Sequence, residues 1–185
     1  KIYEAIKITD EIPIIHTNFN RRYSFFASKM KSLLNNSNTK SVSIDINSPE
    51  YTREGTWLED KNKSGGSIIG EACHFIDLSK FIVGEKIKKY SLNNNAINSD
   101  YNIHLEFDDG SISDINYYFS GNRKYPKEMI KVYSGNSVTI IDDFKKIKHF
   151  GKNSYSKNYF FGQDKGHSNS IISFLKKMKT ENGSI

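Results

Sequence analysis

Tyr101-Asn102-Ile103-His104-Leu105-Glu106-Phe107-Asp108-Asp109-Gly110-Ser111-Ile112-Ser113-Asp114-Ile115-Asn116-Tyr117-Tyr118-Phe119 is the stretch that decides the fold. Tyr101, Ile103, Leu105 and Phe107 alternate with Asn102, His104, Glu106 and Asp108, the period of two that a half-buried strand requires. Asp109-Gly110 supplies a pair suited to a tight hairpin, and Ser111 to Phe119 returns as the partner strand. Outward from this hairpin, Ser41 to Ile46 sets Val42, Ile44 and Ile46 on one face of another strand. Met129 to Tyr133 and Val138 to Asp142, joined by Ser134-Gly135-Asn136, read as a further pair.

Helical patterns flank these strands. Tyr3 to Ile8 reads as the end of a helix, followed by a short strand over Pro13 to Phe19. Tyr23 to Asn35 is amphipathic, with Phe26, Met30, Leu33 and Leu34 on one stripe. Residues 47–66 are polar and rich in turn formers, with Trp57 their one large apolar anchor. Another helix stops near Gly84, and Gly166-His167-Ser168 opens a last one whose apolar face is Ile171, Ile172, Phe174, Leu175 and Met178. Helices before and after a run of antiparallel strands predict an α+β domain over residues 1–185, an open, predominantly antiparallel sheet with helices packed on one face. Strands and helices do not alternate regularly, so no nucleotide-binding βαβ unit is expected. The chain opens in mid-pattern, as a piece of a longer protein would.

Composition removes several function classes. The 185 residues carry a net charge of +6, but 23 of the 27 basic residues are Lys, scattered and often beside Asp or Glu. That is a solvated surface rather than a phosphate-tracking stripe, so no nucleic-acid partner is expected. No apolar run approaches the roughly 20 residues that span a bilayer, and no signal peptide opens the chain. The single Cys73 excludes an internal disulfide and fits a reducing cytoplasm.

Gly65-Gly66-Ser67-Ile68-Ile69-Gly70-Glu71-Ala72-Cys73-His74-Phe75-Ile76-Asp77-Leu78 carries the chemistry. On a helix at about 100° per residue, Glu71, His74 and Asp77 share one arc, while the rest of the helix is apolar nearly all round. A carboxylate–imidazole–carboxylate stripe in such surroundings is either a satisfied core polar group or a site of proton transfer. His with a nearby carboxylate to orient it suits the taking of a proton near neutral pH. Arg21 and Arg22, half of all the arginines, follow the predicted strand; they suit a carboxylate or diphosphate ligand, or else surface ion pairs, and Asn20 serves either use. The glycines at 65, 66 and 70 lack G-x-G-x-x-G spacing and suit a tight turn near a ligand better than a phosphate loop. Lys165 and His167 sit at a helix start, where a capping role competes with a ligand role. His16, His104 and His149 show no metal-ligand spacing, so no metal is expected.

Several of these segments together resemble the C-terminal domain of the Gfo/Idh/MocA (glucose–fructose oxidoreductase / inositol dehydrogenase / rhizopine catabolism) family. The carriers are the glycine turn and His74 helix, Asn18-Phe19-Asn20-Arg21-Arg22-Tyr23-Ser24, Tyr125-Pro126-Lys127-Glu128, Ile141-Asp142-Asp143-Phe144 and Gln163-Asp164-Lys165-Gly166-His167. The resemblance implies an oxidoreductase acting on a secondary hydroxyl of a sugar, cyclitol or nucleotide-sugar, with NAD or NADP bound mainly by an N-terminal Rossmann domain absent from this chain. It implies His74 as catalytic residue with Glu71 assisting, and Asn20, Arg21, Arg22, Asp77, Lys165 and His167 around the substrate. Inositol-dehydrogenase-like members carry an Asp four residues before the His; here that position is Gly70. It also implies a homodimer or homotetramer through the sheet, which Tyr, Phe and Ile residues between Tyr101 and Phe119 are expected to serve. The isolated fragment is expected to be inactive. The competing reading is a non-catalytic carbohydrate-binding or assembly module that retains the fold. Two arginines beside a helix start favour an anionic group on the substrate.

Overall fold

In a computed structural model of the chain, residues 15–35, 38–49, 66–95 and 99–181 are described, together with Gly55, Asp60 and Ile97. The sequence-predicted helix at Tyr3 to Ile8 and the anchor Trp57 lie outside the described residues. Eight strands form one sheet: β1 (Ser41–Asn47), β2 (Ile87–Asn94), β3 (Tyr101–Phe107), β4 (Ile112–Tyr118), β5 (Glu128–Ser134), β6 (Ser137–Asp142), β7 (Lys146–Phe150) and β8 (Tyr155–Asn158). Their order is β2-β3-β4-β1-β5-β6-β7-β8. Among the described residues only β1 and β4 run parallel; every other neighbouring pair is antiparallel. The α+β expectation of an open, predominantly antiparallel sheet therefore holds.

Val42, Ile44 and Ile46 from β1, Ile103, Leu105 and Phe107 from β3, and Ile130 and Val132 from β5 all point to one face. Two helices cover it. α1 (Phe25–Leu33) lies over β6 and β7 and buries Phe26, Ala27 and Met30; Ser24 caps it by accepting from Ala27 N at 2.9 Å. α2 (Cys73–Val83) packs toward β4 with Phe75, Leu78 and Ile82 inside, and ends on Gly84 at φ 89°, the left-handed turn that glycine adopts without a Cβ clash.

Three expectations need correction. Residues 15–19 of the expected Pro13–Phe19 strand join no sheet; Phe19 N donates to Thr17 O and the chain tightens into a 3₁₀ turn at Asn20–Tyr23. The last helix, α3 (His167–Glu181), docks on that turn rather than on the sheet, so its residues Ile171, Ile172 and Leu175 remain exposed. Finally, Tyr101, Ile103, Leu105, Phe107, Ile115 and Tyr117 are buried under the helices, which leaves Ile112 and Tyr118 as the exposed Ile and Tyr of this stretch on the free face. The alternation that made the hairpin legible left open which side the helices take. Over β3 and β4 the free face carries a polar lattice: His104 Nδ1 lies 2.8 Å from Asp114, and Asn102 donates to Asn116, which donates to Asp45. Across β5 to β7 the same face is mixed, with Met129, Tyr133, Val138, Ile140 and Phe150 among lysines.

Candidate active site

The site is assembled around the junction of the 3₁₀ turn, α2 and the loop that enters α3. Four consecutive loop residues tie to the N-terminal segment. Asp164 accepts from Phe25 N at 2.7 Å, at the N-terminus of α1. Lys165 Nζ donates to Glu128 at 2.8 Å. Gly166, at φ +81°, touches the turn so closely that a Cβ there would stand 2.3 Å from Asn20 O and 2.5 Å from Ser24 N. His167 Nε2 lies 3.2 Å from Asn20 Nδ2, whose amide also donates to Lys165 O at 2.8 Å. Two segments far apart in sequence, Asn18–Ser24 and Gln163–His167, are thus one structural unit.

Both arginines of the turn are neutralised internally. Arg21 donates through Nε at 3.1 Å and Nη2 at 2.8 Å to Glu128, a carboxylate with no solvent exposure, and its guanidinium lies 4.5 Å from the centre of the Phe75 ring. Burial raises the Glu128 pKa, but the charges and hydrogen bonds of Arg21 and Lys165 outweigh it and hold the carboxyl down at about 2. Arg22 forms a two-pronged pair with Asp77. The anionic-substrate preference drawn from two free guanidinium groups therefore loses its basis.

The helix that carries the histidine begins as a π-turn over Ile68–Ala72 before settling into α2. Such wide turns recur at functional sites. Within it, Glu71 accepts from Lys127 Nζ at 2.8 Å and from the Tyr117 hydroxyl. Glu71 and Asp77 thus bond to other groups, and neither is a partner of His74 Nδ1. His74 Nδ1 is buried without a hydrogen-bond partner, and its ring meets the Phe19 edge at 5.5 Å. Desolvation, then the Arg21 charge, lowers the His74 pKa to about 4, while the fields of Glu128 and Glu71 act the other way. The ring is neutral at pH 7, an acceptor or donor held beside charged groups and lacking one bond of its own.

Sequence reasoning missed Glu128, Lys127 and Tyr117. Tyr125-Pro126-Lys127-Glu128 carries the family resemblance as a segment and singles out neither residue; the available signal is a Glu where β5 begins, at a position that alternates with buried Ile130 and Val132. Among the described residues no group of three His, Cys, Asp or Glu is arranged to hold a metal, and no helix is long and apolar enough to cross a membrane.

Residues 33–182 match the family model described as "Oxidoreductase family, C-terminal alpha/beta domain", and the chain belongs to the Gfo/Idh/MocA oxidoreductase family. Its fold is similar to several solved structures. The aldose-aldose oxidoreductase from Caulobacter crescentus, complexed with glycerol, superposes with a TM-score of 0.69 at 13% identity, covering 90% of this chain and 53% of that one. An oxidoreductase from Agrobacterium radiobacter, in complex with NAD+, L-tartaric acid and magnesium, gives 0.65 at 12% identity over 90% of this chain and 55% of that one. The super-repressor mutant of Gal80p from Saccharomyces cerevisiae gives 0.71 at 11% identity over 100% of this chain and 56% of that one. The chain therefore spans little more than half the length of these neighbours. No curated protein matches its sequence.

Proposed function

We propose that this chain is the substrate-binding and oligomerisation half of an NAD(P)-dependent oxidoreductase acting on a secondary hydroxyl of a neutral sugar or cyclitol. The observation that carries this reading is His74: a neutral imidazole with an unpartnered buried Nδ1, on a π-turn helix, flanked by Arg21, Glu71, Glu128 and His167. A ligand hydroxyl bonded to that ring supplies its missing partner. Proton uptake by the ring is favoured by the Glu71 and Glu128 fields and opposed by burial and Arg21. Glu71 acts by its field, since its oxygens are occupied by Lys127 and Tyr117. Lys165, Asn20 and His167 form the opposite wall and supply hydrogen bonds to the ligand. Arg21, Arg22 and Asp77 hold the wall in place rather than meet the ligand.

The dinucleotide, which exchanges hydride with the ligand carbon, is assigned to an N-terminal Rossmann domain outside this chain, so the chain alone is inactive. The greater length of the neighbours supports that division. The free face of the sheet is assigned to self-association as a homodimer or homotetramer, through the Met129, Tyr133, Val138, Ile140 and Phe150 area rather than the β3–β4 hairpin. The single cysteine fits a cytoplasmic location.

The test is to assay the whole parent protein for NAD(P) reduction against a panel of sugars, cyclitols, sugar acids and nucleotide-sugars. Turnover of neutral polyols supports the reading. Failure to bind NAD(P) at all favours the competing one, a non-catalytic carbohydrate-binding or assembly module on the same fold.

A further inference from the structure

Glu128 has no solvent exposure and stands at the first position of β5, yet it receives two cations: Arg21 through both nitrogens of its fork, and Lys165 through Nζ. A carboxylate is seldom buried without partners, and one that gathers two cations from separate segments controls where both of them point. Arg21 is clamped against Phe75, the residue after His74, and its side chain is 9% exposed. Lys165 keeps 19% exposure and sits between Asp164 and Gly166, within the unit that carries Asn20 and His167. Of the other charges there, Arg22 pairs with Asp77 and Lys127 with Glu71, while Asp164 accepts from the backbone amides of Phe25 and Gly166.

We propose that Glu128 is a positioning residue that withholds Arg21 from the ligand and restrains Lys165 at the wall of the cleft, which fits the site to a neutral polyol and sets it against a sugar acid. The proposal rests on the functional reading above for the ligand class, but its physical content does not. The groups that face His74 are Arg21 from the 3₁₀ turn, Glu128 from β5, Glu71 from its own π-turn and His167 from α3. Removing the negative member leaves two cations with no internal partner. Those cations then oppose a charged His74 more strongly and attract any carboxylate that enters.

The experiment compares Glu128→Gln, Glu128→Asp and Arg21→Met in the full chain. Two readouts need no dinucleotide: the His74 ring titration by NMR, and the binding of gluconate against glucitol followed at the same ring. Glu128→Gln is expected to move the His74 titration lower and to raise the gluconate-to-glucitol affinity ratio on the order of tenfold, the scale of one charged hydrogen bond. Glu128→Asp restores the charge and returns both readouts toward the wild type. Arg21→Met leaves Glu128 paired with Lys165, moves the titration higher and leaves the gluconate-to-glucitol ratio near the wild-type value, because Arg21 is withheld from the ligand; a large fall in that ratio contradicts the proposal, and this variant decides the matter should Glu128→Gln not fold. Folded variants with an unmoved titration and an unmoved ratio overturn the proposal. Loss of all oxidoreductase activity in the wild-type parent, with both readouts shifting as described, removes the functional reading and leaves the role of Glu128 standing.

Discussion

Asn20 and His167 are held in one hydrogen-bonding sense: Asn20 Nδ2 lies 2.8 Å from Lys165 O and 3.2 Å from His167 Nε2. A carbonyl oxygen only accepts, so the amide nitrogen faces it, and that same nitrogen then donates its second hydrogen to the ring. His167 Nε2 is therefore the acceptor and Nδ1 carries the proton. The tautomer of His167 follows from a backbone carbonyl two residues before the ring.

The expected outcome is a His167 ring with its proton on Nδ1 and Nε2 as acceptor, read directly from long-range ¹⁵N–¹H correlations of the imidazole. Asn20→Ala should release that preference and weaken the docking of α3 by about 1 kcal/mol, the ordinary net worth of a hydrogen bond. A ring protonated on Nε2 in the wild type would show that the amide is turned the other way.

Gly166→Ala should be far more costly. The left-handed backbone costs a non-glycine residue roughly 1–2 kcal/mol, and the new Cβ meets backbone atoms at 2.3 Å and 2.5 Å that have no flexible side chain to yield. We expect a loss of about 2–4 kcal/mol in denaturant unfolding, adding overpacking to backbone strain. The Asn20–His167 bond should be lost with it. A variant as stable as the wild type would mean that the loop does not pack on the turn.

Two acid transitions in stability are expected, with different origins. His74 falls from 6.5 unfolded to about 4 folded, so its neutral form is favoured by the fold. The stability linked to it is present above pH 6.5 and lost as pH falls through about 4. Glu128 falls from 4.5 to about 2, so its contribution is present above pH 4.5 and lost as pH falls toward about 2. Urea midpoints measured against pH should show the upper fall abolished by His74→Gln. An unchanged profile in that variant would assign the upper fall to other groups.

The sequence made some of this legible. Val42, Ile44 and Ile46, and the four apolar residues of β3, are buried as their alternation required, because one face of each strand meets the helices. β7 and β8 were not read. In Lys146–Phe150 only Ile147 is a buried apolar residue, and Tyr155–Asn158 is a four-residue edge strand with no buried position. The parallel contact of β1 with β4 joins segments about 70 residues apart, which no local pattern encodes. In the site, His74, Asn20, Lys165 and His167 were identified individually as residue types suited to chemistry. Their partners were not, because Arg21 meets Glu128 across 107 positions and Arg22 meets Asp77 across 55. Charge pairing over such separations is set by the tertiary fold, and it removes the free arginines on which an anionic preference rested.

The most direct measurement is the pH profile of kcat/KM for polyol oxidation by the parent enzyme, with and without His74→Ala. The account predicts that the variant folds normally and that its turnover falls on the order of a hundredfold, as for loss of a general base. It also predicts that the wild-type rate is sustained on acidification until about pH 4, where His74 takes up its proton. A His74→Ala enzyme with near wild-type kcat/KM, or a folded wild type whose rate falls at the ordinary histidine value of 6.5, would contradict the assignment of His74 as the proton acceptor.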